Sequence, residues 1–302
     1  MINLRDIPMF KDAKTIERIN IESRCKEKFK VVTENQSFFV KVEDSAYSDK
    51  DIEKVKRLYR TYEEEDIPTV PLIDVFTVGE ETIWVFPFFE GQTLLEANIP
   101  LEKIEYYGKQ VAIDIQTLNK KKPEETLFGV LDLKRHYEDR VNKIKNLLNQ
   151  KETRGQLLEI FDDRKWQKLL YFYGRLFEAI KNDDPMLNHN DIKLPNILID
   201  DDENYYFIDL DPFDLTVVGY NIGYSISCFL FQEGREAEKA FLRAFIRTID
   251  HNKKLINQMN YFLISDFINK FEKYADIYKR DSHFIESLLF NENDMLRDLL
   301  YG

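Results

Sequence analysis

His189-Asn190-Asp191-Ile192-Lys193-Leu194-Pro195-Asn196, followed by Phe207-Ile208-Asp209, is the stretch whose reading decides the fold. Between the two motifs lie Ile197-Leu198-Ile199, a polar turn from Asp200 to Asn204, and Tyr205-Tyr206-Phe207-Ile208. That is the pattern of a short hairpin, with the acidic run Asp200 to Glu203 as its solvated turn. Pairing of the strands brings Asn196 at the entrance and Asp209 at the exit to one end, with Asp191 on the loop leading in. Two oxygen ligands, an amide and a carboxylate, beside a second carboxylate suit a hard Mg²⁺ ion that bridges phosphate oxygens. Asp191 is then placed to orient a hydroxyl group and accept its proton.

Upstream, Phe29-Lys30-Val31-Val32-Thr33 and Ser37-Phe38-Phe39-Val40-Lys41-Val42 read as two strands joined by Glu34-Asn35-Gln36. Lys41 points to the face opposite Val40 and Val42, as a solvated lysine on an amphipathic strand also would. Ile52, Val55, Leu58, Tyr59 and Tyr62 recur at helical spacing, with Ser48 or Asp49 as the cap. Two further strands follow, at Leu72 to Phe76 and Thr82 to Phe86, before Pro87-Phe88-Phe89-Glu90-Gly91. A proline, aromatics and a glycine leaving a strand suit a linker between lobes. Residues 1–90 are therefore expected to form a small sheet lobe with one helix, and residues 91–302 a second lobe. In that second lobe Leu101, Ile104, Gly108, Val111, Ile115 and Leu118 predict a helix burying one face. Similar patterns run over Asp132 to Leu148, Trp166 to Lys181, Glu236 to Ile249, Leu255 to Tyr278 and Phe284 to Leu300. The length itself suits two packed lobes with a cleft rather than one core.

The bulk properties exclude several classes. Asp+Glu 55 against Lys+Arg 43 gives a net charge of -12, a field that repels a nucleic-acid backbone and favours cationic or metal-bridged partners. Cys25 and Cys228 are too few for a disulfide framework and form no metal-like cluster. No apolar run has the length of a membrane span, and the N-terminal residues lack the apolar core of a signal peptide, so a cytoplasmic protein without membrane contact is expected. His136, His251 and His283 are scattered, and neither Gly-x-Ser-x-Gly nor His-Glu-x-x-His occurs. Trp84 and Trp166 fall on apolar faces and read as core.

The His-x-Asp-x4-Asn loop and the Ile208-Asp209 pair resemble the catalytic loop and metal motif of the protein-kinase-like fold, in particular its aminoglycoside phosphotransferase and choline kinase-like branch. The similarity runs from Glu17 to Phe231. It implies an α+β bilobal architecture, with a small antiparallel β-sheet N-lobe and a mainly α-helical C-lobe. It also implies an ATP-dependent phosphotransferase acting on an alcohol group, with ATP (or GTP) and Mg²⁺ as cofactors. Asp191 is implied as catalytic base, Asn196 and Asp209 as magnesium ligands, and His189 as a support of the loop. Lys41 corresponds to the lysine that holds the donor phosphates, with Glu53 as its helix partner. Phe86 to Gly91, including Phe88, matches the lobe-connecting segment whose backbone receives the adenine. Lys193 matches a feature of serine/threonine protein kinases that meets the transferring phosphate.

Departures from the pattern direct the reading away from a protein substrate. Ile21 to Lys28 contains no glycine where a phosphate-covering loop is expected, leaving Ser23 and nearby backbone to donate hydrogen bonds to phosphate. Past Asp209 there is no Ala-Pro-Glu and no long activation segment, and Asn221 stands where an acidic anchor is common in the family. The expected acceptor is a cationic small molecule of aminoglycoside type, bound by a monomer or weak dimer. A choline- or ethanolamine-type kinase, for which the aromatic abundance would supply an ammonium cage, and a nucleotide-binding pseudokinase module are the alternatives.

Overall fold

The computed structural model describes residues 3–19, 27–121, 128–210, 215–220, 222–224, 236–249 and 253–280. Ser23, Cys25, Asn221, Cys228, His251, His283 and the helix expected over 284–300 lie outside them. The chain forms two compact units, the first comprising Met1–Ala97 and Pro195–Phe213, the second Asn98–Leu194 and Asp214–Gly302. The expected boundary lay at residue 90, whereas the first unit runs on to Ala97 and takes in the 197–207 hairpin.

The first unit is built on a five-stranded antiparallel sheet of order β1-β2-β3-β5-β4. Its strands are β1 (Thr15–Arg18), β2 (Glu27–Val32), β3 (Ser37–Glu43), β4 (Asp74–Val78) and β5 (Glu81–Pro87). Strand alternation sends Phe38, Val40 and Val42 to one face, where they pack with Val31, Ile83 and Val85 under Leu4, Ile7 and Phe10 of the N-terminal turns. The other face carries Phe39, Lys41 and Glu43, opposite Phe86, Trp84 and Thr82 on β5. Helix α1 (Asp49–Glu64) begins at a capping box, Ser48 Oγ accepting from the Asp51 amide at 3.2 Å while Asp51 Oδ2 accepts from the Ser48 amide at 3.4 Å. Its buried Tyr59 packs on Phe86, and its buried Tyr62 meets the ring of Phe207 edge-on.

A small second sheet in this unit joins β6 (Gln92–Thr93), β7 (Ile197–Ile199) and β8 (Tyr205–Phe207). Gly91 precedes it for a steric reason, since a Cβ there would lie 2.4 Å from the carbonyl oxygen of Ile199. Thus the linker, the hairpin and α1 are fastened to one another within a single unit.

The second unit is helical: α2 (Leu101–Asn119), α3 (Leu133–Asn149), α4 (Lys151–Ile160), α5 (Asp163–Ile180), α6 (Glu236–Thr248) and α7 (Lys253–Arg280). Asp132 and Asp162 cap α3 and α5, accepting from the amides of Arg135 and Lys165. The core of α3, α4, α5 and α7 centres on Trp166, Tyr173, Tyr261, Phe267 and Phe271, and Trp166 donates its indole N–H to the Leu157 carbonyl at 3.0 Å. Both tryptophans are buried, as read from their spacing. Among the described residues no helix is long and apolar enough to cross a membrane.

His136 is not idle within this core. Its Nδ1 lies 3.1 Å from the Tyr261 hydroxyl and its Nε2 3.2 Å from Ser265 Oγ, which accepts from Arg140 Nε at 3.2 Å. Burial, reinforced by the Arg140 charge and opposed by Asp139, lowers its pKa from 6.5 to about 4. The folded chain then binds fewer protons at this ring than the unfolded chain between those values. The associated stability is present above the unfolded pKa and is lost as pH falls through the folded one, a change of about 2–3 kcal/mol. Denaturant unfolding at pH 7 and at pH 4 should therefore show a smaller acid penalty for His136→Gln than for the wild type. Equal penalties would remove His136 from the acid response.

Candidate active site

The functional side chains are set in place separately within each unit. In the sheet unit, Ile208 donates its amide to the Asn196 carbonyl at 3.1 Å, and Ile197 pairs with Phe207. Strand β8 is fixed in turn to the segment after α1. Phe207 donates to Pro68 O at 2.9 Å, Val70 donates back to Phe207 O at 3.1 Å, and Thr69 Oγ1 donates to the same oxygen at 3.0 Å. Asp209 follows directly with φ 63, in the left-handed region that costs about 1–3 kcal/mol where imposed on an ordinary side chain but suits Asp and Asn best. That turn delivers its carboxylate to Lys41, whose Nζ donates to Asp209 Oδ1 at 2.9 Å.

Lys41 itself is only 9% exposed and lies 2.8 Å from Glu43 Oε1. The second oxygen of Glu43 accepts from the Trp84 indole N–H at 3.2 Å, and the lysine ammonium sits 5.2 Å above the Trp84 ring. The structure brings Lys41 and Asp209 together at the hairpin, and sequence reading did not single out Glu43. Its signal was available: two residues on from Lys41 along a strand is the same face. Glu53 is not brought to Lys41. It stands on α1 with its side chain 54% exposed, 3.8 Å from Arg60, because the α1 stripe that faces inward is Val55, Leu58, Tyr59 and Tyr62.

Phe86 and Phe88 occupy the end of β5 and the segment after it. The Phe86 ring stacks on Trp84 with centroids 6.5 Å apart, and Lys30 Nζ lies 3.9 Å above the Phe88 ring. Phe88 donates its amide to Ser37 O at 2.8 Å, so strand alternation turns the peptide groups of Pro87 and Phe89 away from β3.

Asn196 and Asp209 offer an amide and a carboxylate oxygen at one end of the hairpin, which is the donor chemistry of Mg²⁺. Among the described residues no group of three or more His, Cys, Asp or Glu side chains forms a metal cage.

In the helical unit, the catalytic loop makes a tight turn. Asp191 donates its amide to the His189 carbonyl at 2.8 Å across Asn190, whose φ is 60. Thr216 Oγ1 donates to Asn190 Oδ1 at 2.5 Å, and Asn188 Nδ2 donates to Val217 O at 3.3 Å, so segment 216–217 is stitched to the loop from beneath. His189 is fully buried. Asp191 is 41% exposed and accepts from Lys193 Nζ at 2.6 Å. The two residues assigned to catalysis thus meet each other, and Thr216 is a support that sequence reading missed.

A model of the phosphotransferase enzyme family, abbreviated APH, matches residues 21–253. The chain belongs to this family. It is accordingly an ATP-dependent phosphotransferase, with the kinase-like α+β architecture that its motifs implied. Among solved structures, that of spectinomycin phosphotransferase APH(9)-Ia with ADP and spectinomycin superimposes with a TM-score of 0.63 at 14% identity, over 99% of this chain and 93% of that one. Aminoglycoside phosphotransferase APH(4)-Ia gives 0.65 at 13% identity, over 98% and 97%. An aminoglycoside-3'-phosphotransferase of type VIII gives 0.55 at 16% identity, over 84% and 93%. These likenesses establish the fold of this phosphotransferase. No curated protein sequence matches it.

Proposed function

We propose that this phosphotransferase moves the γ-phosphate of ATP to a hydroxyl group of a cationic small molecule, with aminoglycosides as the leading acceptor class. The observation that carries the reading is the ion pair between Lys41 and Asp209, 168 positions apart in the chain and joined at 2.9 Å beside the hairpin that Asn196 opens. A cation and a carboxylate so placed are the pair that a metal-bound phosphate chain needs as neighbours, which supports this reading. Spectinomycin in the APH(9)-Ia complex and hygromycin B in an APH(4)-Ia complex are both aminoglycoside-class acceptors held by proteins of this fold. The net charge of -12 favours a cationic acceptor in this chain too.

In this reading Lys41 binds the donor phosphates, and Asn196 and Asp209 hold Mg²⁺. The ion, when bound, neutralises charge on the phosphate oxygens and aligns the γ-phosphate. Asp191 orients the acceptor hydroxyl and takes its proton as the new oxygen–phosphorus bond forms. The bond from the γ-phosphorus to its bridging oxygen breaks, and ADP leaves with that oxygen. Lys193, already on the Asp191 carboxylate, holds that side chain and meets the transferring phosphate. The carbonyl of Pro87 and the amide of Phe89 receive the adenine edge beside Phe86 and Phe88. Ser23, outside the described residues, is assigned a hydrogen bond to the donor phosphates.

The test is an acceptor screen with ATP and Mg²⁺, read by mass spectrometry for one added phosphate. Spectinomycin, hygromycin B and other aminoglycosides should be run beside choline and ethanolamine. A phosphorylated aminoglycoside is the expected product. Turnover of choline alone would move the chain to the alternative branch. No product from any acceptor, with identical ATP consumption by wild type and Asp191→Ala, would leave a nucleotide-binding module.

A further inference from the structure

We infer that Glu43, carried on the same strand as Lys41, is the positioning residue for the nucleotide-binding lysine, the part that resemblance assigned to Glu53 on the helix. The inference rests on the proposed role of Lys41 and deepens it. Among its contacts with described residues, Lys41 meets the carboxylates Glu43, Oε1 at 2.8 Å, and Asp209, Oδ1 at 2.9 Å. They are not equivalent. Asp209 is the metal ligand of the proposed site, so its oxygens turn to Mg²⁺ when nucleotide binds. Of the two, Glu43 is the one that stays.

Its geometry suits that task. Residues two apart on a strand share a face, so the pair is set by β3 alone. The Glu43 side chain is 16% exposed and cannot wander, because Trp84, paired with Lys41 across the strand register, clamps its second oxygen at 3.2 Å. An ion pair of low exposure, with a hydrogen bond on the remaining oxygen, is the kind that holds a direction. Glu53 has none of these properties, being half-exposed and engaged with Arg60.

The sign of the expected effect separates position from charge. Removing a negative charge beside Lys41 would by simple electrostatics tighten binding of a polyanion. A positioning role predicts the reverse. In Glu43→Gln the lysine loses its fixed partner and turns to Asp209, so Mg²⁺ must compete for that carboxylate.

The experiment is equilibrium binding of Mg·ATP to the full chain by calorimetry, without acceptor, over a series of Mg²⁺ concentrations. For Glu43→Gln we expect about tenfold weaker nucleotide binding and a higher Mg²⁺ concentration at half-saturation, with thermal melting unchanged. Glu43→Asp, which restores the charge on a shorter arm, should recover part of the loss. Should Glu43→Gln melt early, Trp84→Phe, which unclamps Glu43 and leaves both charges in place, is read in its stead and should weaken binding in the same direction. Unchanged or tighter binding by Glu43→Gln would overturn the inference, as would an equal or larger loss in Glu53→Gln. If the wild type binds no Mg·ATP at all, it is the underlying assignment of Lys41 that fails.

Discussion

The Asp191→Asn enzyme should transfer phosphate about a hundredfold to ten-thousandfold more slowly than the wild type, and should melt at the same temperature. The two halves of this expectation have separate origins. The rate falls because an amide cannot take the acceptor proton, and the range is the usual worth of a positioned general base. Stability is preserved because the ion pair lost with Lys193 joins side chains 42% and 41% exposed, and pairs of that exposure contribute about 0–1 kcal/mol. The turn itself is held by the His189 carbonyl and by Thr216 on Asn190, which the substitution does not touch. Steady-state kinetics with any acceptor identified in the screen gives the check. A variant within about fivefold of wild-type kcat would remove Asp191 from proton transfer.

Asp209→Asn should be comparably severe, with a different signature. Asn adopts the left-handed conformation seen at this position, φ 63, as readily as Asp, so the substitution changes charge without straining the backbone. Lys41 keeps Glu43 at 2.8 Å and is not left as a bare buried cation. The fold should therefore persist, with a melting temperature within a few degrees of wild type. What disappears is the anionic ligand of the proposed metal site. We expect kcat/KM to fall by at least about a hundredfold at low millimolar Mg²⁺ and to recover in part as the metal is raised. For Asp191→Asn no such recovery is expected. A Mg²⁺ response identical to wild type would place the metal elsewhere.

Much of this molecule was legible in the residues because its strongest signals are local. Ser48 or Asp49, read as the cap, announced the start of α1, and the structure settles on Ser48. The run from Asn196 to Ile208 could form little except a hairpin, and Phe38, Val40 and Val42 alternate cleanly because one face of β3 is core. What escaped reading was decided by tertiary pairing. Strand β1, Thr-Ile-Glu-Arg, is a mostly exposed edge with little apolar alternation, and it forms because β2 offers it a ladder. Strand β6 is two residues long and exists only against β7. Helix α4 was likewise not expected from spacing, its pattern being weakly amphipathic and interrupted by Gly155. The partner of Lys41 was misplaced for a related reason. Resemblance supplied a helix glutamate, while the strand's own period of two points to Glu43, which sequence reading did not consider.

The pairing of Lys41 with Glu43 inside one strand bears on how this enzyme can be turned off. In protein kinases the lysine is gated by a helix that swings its glutamate in or out, and that swing is the handle used by activating modifications. Here the counter-charge travels with the lysine, so prising α1 from the sheet would expose Tyr59 and Tyr62 yet leave the ammonium aligned. An inhibitor that works by displacing the helix would break the pair of Lys56 with Asp74 on β4, yet leave the pair of Lys41 with Glu43 in place. One that reaches the Trp84 clamp would not.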